Sequence, residues 1–172
     1  MSEDATQLYE EDFIRWTEQQ AAALREAAGL RTNLPLDWEN LAEEIDSLGR
    51  SLRHELRSRI LVIIEHLLKL ESSPATDPQR GWMETIGRER SEIEVLLDEN
   101  PSLKGDIPKL VPTEMARAAR YAIQALRRHG EATPQILAKL GAASYTEEQV
   151  LGDWFPGDAP HPGPLPTGGE RG

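Results

Sequence analysis

The chain contains no cysteine. Disulfides, thiolate metal sites and thiol nucleophiles are therefore excluded, and the composition is compatible with a reducing compartment. Aromatic residues are also scarce, at 5% of 172 residues. Aliphatic side chains must fill any core, and the chain is long enough to bury one of useful size. Long apolar runs are missing. The richest stretch, RILVIIEHLLKL at Arg59–Leu70, is about half of the roughly 20 residues a membrane span needs. The opening MSEDATQLYEED is acidic and lacks the basic and apolar regions of a signal peptide. Positive charge is in deficit too: 19 Lys and Arg stand against 30 Asp and Glu, for a net charge of −11. Polyanionic partners are repelled at long range, so neither nucleic acid nor an anionic membrane is an expected partner. A soluble cytoplasmic protein is the expectation.

What is present is helical periodicity divided by Pro and Gly. The spacing predicts a first helix from Leu8 to Ala28, with Phe13, Trp16, Gln20, Leu24 and Ala27 inward and Gly29 as its stop. Asp37 after Pro35 predicts the N-cap of a second, longest helix reaching Glu71. Its apolar positions are Leu41, Ile45, Leu48, Leu52, Leu56, Ile60, Ile63, Leu67 and Leu70. Beyond Arg59 they spread around nearly the whole circumference, as in a helix buried on all sides. Gly49, inside this helix, marks a close approach or a bend.

Asp77-Pro78 predicts the start of a third helix with Trp82, Ile86, Ile93, Leu96 and Leu97 inward, ending at Asn100-Pro101. A loop with room for a single turn, PSLKGDIPKLVP, precedes a fourth helix from near Thr113, with Met115, Ala119, Ala122 and Leu126 inward. Thr133-Pro134 and the capping box Thr146–Gln149 open short helices. Trp154 and Phe155 are expected to fold back as an apolar plug. The fold class is all-α: an up-and-down bundle of four main helices with short C-terminal helices. Residues 1–155 form one domain, and 156–172 form a flexible Pro/Gly-rich tail.

The stretches LYEEDFIRWTEQQAAALRE, LDWENLAEEIDSLGRS, EHLLKL, GWMETIGRER and NPSLK together resemble the bacterial family known as domain of unknown function 29. Their order and spacing match over about residues 8–155. The resemblance implies a helical bundle of bacterial origin and carries no activity with it. The positions that match the family pattern are Tyr9, Asp12, Trp16, Asp37, Glu43, Glu44, His66, Trp82 and Arg90.

Three readings of the polar residues stay open. Arg59 and His66 share a heptad column with Ile45 and Leu52, at the border between core and polar face. In the first reading His66 is a core-edge imidazole bonded to a carboxylate or carbonyl of another helix. In the second, Arg59 grips a phosphate and His66 moves a proton, as in helical HEPN-type ribonucleases. In the third, Glu43, Glu44, His54, Glu55 and His66 ligate a metal, although Glu-x-x-His and His-Glu-x-x-His are absent. Trp82 and Arg90 join Glu43 and Glu44 as interaction candidates. Arg117, Arg120, Arg127, Arg128 and His129 form a basic region suited to an acidic partner, including the acidic first half of a second copy. The preferred reading is a non-catalytic helical interaction protein that self-associates, with no cofactor and no metal. The alternative is a ribonuclease or phosphate-ester enzyme using Arg59 and His66.

Overall fold

A computed structural model describes residues 3–30 and 34–157. Every regular element among them is helical: α1 (Glu3–Glu11), α2 (Phe13–Gly29), α3 (Trp38–Ser72), α4 (Gln79–Glu99), a 3-10 turn (Pro101–Asp106), α5 (Ile107–Arg128), α6 (Pro134–Ala142) and α7 (Glu147–Leu151). The four long helices are the bundle expected from the periodicity. The tail expected over 156–172 lies outside the described residues from position 158 onward.

Helix α3 is the post of the molecule and packs against α2, α4 and α5. Asp37 caps it as expected, its carboxylate accepting from the Asn40 amide. At 1.5 Å per residue its 35 residues reach about 52 Å. Its C-terminal half buries Leu56, Ile60, Leu61, Ile63, Ile64, Leu67 and Leu68, which join Ile14, Ile86, Ile93, Leu103 and Leu126 in one core. Each such side chain contributes about 1.5–3 kcal/mol of burial.

Cross-links give the directions. Thr17 lies against Gly49 and Arg25 bonds Asp46, so α2 and α3 are antiparallel. Arg53 pairs with Asp106, Arg57 with Glu114, and Ser73 with Glu131, so α5 runs parallel to α3. The sequence of directions is up-and-down.

Several local expectations give way to the packing. The first helix is two helices, because Asp12 leaves helical geometry at φ −159° and caps α2 through Arg15 N–H. The same buried carboxylate accepts from the amide and hydroxyl of Ser102, which pins the α1–α2 junction to the 3-10 turn. Inward residues of α2 are Ile14, Thr17 and Ala21, one step along from the bulkier Phe13, Trp16 and Gln20. In the first half of α3 the inward residues are Ala42 and Gly49, whereas Leu41 and Leu48 are 41% and 46% exposed.

Asp77 makes no cap; α4 begins after Pro78 without a side-chain cap bond. Helix α5 starts at Ile107, six residues before the expected start. Pro108 sits in its first turn, where no intrahelical N–H partner exists, and Pro112 forfeits one bond just beyond it. Thr133 and Thr146 cap α6 and α7 as the spacing predicts, and α7 shows the full capping box. Trp154 and Phe155 are half-buried against the core.

Candidate functional site

Arg59 projects from α3 into the seam with α4. Its guanidinium donates to Glu55 one turn earlier (2.7 and 3.1 Å), to Glu89 (2.9 Å) and to Glu92 (3.3 Å). Hydrogen bonding to Glu55, then to Glu89, outweighs the desolvation that opposes it and holds the guanidinium pKa above its ordinary value. Three carboxylates thus occupy the fork that a phosphate would need.

His66 lies one further heptad along and is half-buried. Its Nδ1 is 2.8 Å from the carbonyl oxygen of Val62, so Nδ1–H donates and Nε2 carries the lone pair. Burial pushes its pKa below 6.5; the Val62 carbonyl, Glu65 and Glu89 oppose that shift and Lys69 adds to it. The partner expected from another helix is instead a carbonyl of its own. Glu89, 14% exposed, is the group that both Arg59 and His66 sense.

Arg90 does different work. Its Nε donates to Val150 O (2.9 Å), and its Nη2 donates to Gln149 O (2.9 Å) and Trp154 O (2.8 Å). Its guanidinium lies 5.0 Å from the Phe155 ring centroid. The Gln149 and Val150 carbonyls belong to the last turn of α7, where no intrahelical donor remains, and the Trp154 carbonyl lies three residues beyond that helix. Arg90 therefore straps the C-terminal segment to α4. A cleft of about 790 Å³ beside it is lined by Leu97, Lys104, Phe155 and the acids Glu94, Asp98 and Glu148.

The remaining candidates lie apart from that seam. Glu43 pairs with Arg25 and Arg50 on the α2–α3 hairpin, and Glu44 is exposed. Trp82 is half-buried in the first turn of α4. No group of three or more His, Asp and Glu among the described residues is arranged to hold a metal ion. Sequence reasoning missed Glu114, which is fully buried on α5 between Arg57 and Arg117. Nothing in its local sequence distinguishes it from a solvated acid.

The hairpin of α2 and the first half of α3 also has two unlike sides. In an antiparallel pair, the residue one position before each inward residue falls on the same side of both helices. Phe13, Trp16, Leu41 and Leu48 hold such positions, and Leu24, Ile45 and Leu52 lie three after inward residues on that same side. Tyr9 closes the row, its ring 4.9 Å from Trp16 and 5.4 Å from Phe13. The opposite side carries Glu18, Arg25, Glu43, Asp46, Arg50 and Arg53, joined across the helices by ion pairs. Of nine exposed large apolar side chains among the described residues, Tyr9, Leu41 and Leu48 belong to this row, and Leu30, Leu34 and Leu36 lie between α2 and α3. Contiguous patches of that kind mark interaction surfaces.

The fold and its surface define an all-α bundle with one apolar hairpin face left open. The chain belongs to the family described as domain of unknown function DUF29, whose model matches residues 8–155. It is similar to an α-helical protein of unknown function from Rhodospirillum rubrum, at 26% identity and a TM-score of 0.62 over 86% of this chain and 98% of that one. No curated protein matches the sequence. No helix among the described residues is long and apolar enough to cross a membrane.

Proposed function

We infer that this protein is a non-catalytic helical interaction module of the bacterial cytoplasm. The observation that carries the reading is the open apolar face of the α2–α3 hairpin. An apolar surface kept in water has a free-energy cost that a protein partner removes. The engagement of Arg59 by Glu55, Glu89 and Glu92 supports the non-catalytic part, because a phosphate would first have to displace three carboxylates. The likeness to a bacterial protein and the absence of cysteine support the compartment.

Two measurements test this. Purified wild type and His66→Ala are mixed with labelled RNA; cleavage by the first that the second lacks would overturn the reading. A photo-crosslinking residue is placed at Leu48 and, as a control, at the exposed Arg80. Discrete protein adducts in producing cells are expected from position 48 and not from position 80. Equal adducts, or none, count against a docking face.

A further inference from the structure

We propose that the occupant of the α2–α3 hairpin face is a second copy of this chain, packed face to face and antiparallel about a twofold axis that passes close to Leu48. The proposal rests on the interaction reading above and names the partner.

Three features favour a second copy. The first is shape. Thr17, Ala21, Ala42 and Gly49 hold the two helices in close approach, so the apolar side chains that flank this seam share one side of the hairpin. Two helices stacked on two helices complete a four-helix arrangement, a stable solution for hairpins with one apolar side. The second is the distribution of bulk along the face. The Tyr9–Phe13–Trp16 ridge stands at the end nearest the main core, with Phe13 and Trp16 stacked at 5.5 Å. Ala27 and Leu24 lie toward the other end, beside Leu41. A twofold axis across the middle sets each ridge on the shallow end of the other copy, and every contact then occurs twice, as an isologous interface requires. The same operation points the two main cores in opposite directions along the hairpin.

Area is the third feature. A face of 17 residues per helix and two helices covers about 25 by 20 Å, or about 500 Å² per copy and about 1,000 Å² in all, at the threshold for a specific interface. The apolar row also runs into the interior through Leu52, which packs against the buried cluster. The ion-paired side of the hairpin stays in water in this arrangement.

The test uses the full chain. Sedimentation across the micromolar range should give twice the 19.2 kDa chain mass, with little change at high salt. Leu48→Glu and Leu41→Lys should each sediment as monomers while keeping the wild-type helical circular dichroism, because both positions face water in the single chain. The natural chain has no cysteine, so Leu48→Cys with a short bis-maleimide can link only to another copy. Covalent dimer is expected from position 48 and several-fold less from Leu41→Cys, which lies off the axis.

A wild type that stays monomeric overturns the proposal. So does a dimer that survives Leu48→Glu, or one that dissolves in salt or with Arg120→Glu and Arg127→Glu. If the wild type is monomeric but the Leu48 photo-crosslinker still captures a discrete protein, self-pairing falls and the interaction reading stands. Loss of both removes both.

Discussion

Gly49 and Thr17 meet with no space between them: a Cβ on Gly49 would sit 2.6 Å from the Thr17 hydroxyl oxygen. The hydroxyl cannot easily swing away, because it donates to Ile14 O at 2.7 Å in a residue only 1% exposed. Gly49→Ala should therefore cost about 1–2 kcal/mol, although Ala is the better helix former by about 1 kcal/mol. In a Thr17→Ala background the same change should become neutral or stabilising. Urea unfolding of the four proteins in that double-mutant cycle measures the coupling; additive effects would contradict the close approach.

Arg90 supplies donors to three carbonyls, those of Gln149, Val150 and Trp154. Arg90→Ala should lower stability by about 2–3 kcal/mol, since bonds from a charged donor are among the stronger ones. Limited proteolysis should then cut first between Tyr145 and Gly157. Arg90→Lys should recover little, because one ammonium cannot reproduce the planar fork.

Glu114 and its two arginines behave asymmetrically. The carboxylate is fully buried, whereas the side chains of Arg57 and Arg117 are 43% and 39% exposed. Arg57→Ala strands a buried charge, and one Glu114 oxygen already lacks a hydrogen-bond donor. A loss of about 2–4 kcal/mol is expected. Glu114→Leu lets both cations turn to water and should cost less, or nothing. Thermal unfolding of the two variants decides the order.

The pH dependence of stability should carry a His66 signature. Its folded pKa lies below 6.5, so the unfolded chain binds the proton more readily. Stability is then fully present above about 6.5 and falls as the pH drops through the window beneath it, because proton uptake favours the unfolded state. Glu65 and Glu89 moderate the effect and Lys69 adds to it. Denaturant midpoints between pH 7 and 5 should show this slope in wild type and a flatter one in His66→Gln.

The C-terminal half of α3 was legible because Ile60 to Leu68 are apolar on nearly all sides, which permits no other placement. The first half is different, because its larger side chains fit the inward pattern equally well by spacing. Close helix packing selects the smaller residue of each pair, Ala42 over Leu41 and Gly49 over Leu48, and so turns the leucines outward. Asp12 breaks the first helix by capping α2, and the contact that anchors it there, to Ser102, lies 90 residues away, where no local pattern reaches. The heptad column did place Arg59 and His66 at the edge of the core. Their surroundings depend on Glu89 and Glu92 of α4 and on the Val62 carbonyl, and only the assembled seam brings these together.

Helix α3 is one continuous element with two very different shelters. Near Ile63 it is enclosed by a core drawn from several helices, while near Leu41 it has α2 on one side and water on the other. Amide protons along this single rod should therefore exchange on unequal clocks. Those around Ile63 wait for the whole molecule to open, and those around Leu41 escape through fraying of the hairpin alone. Pairing with a second copy would slow only the fast end, so the exchange gradient would flatten as the protein is concentrated.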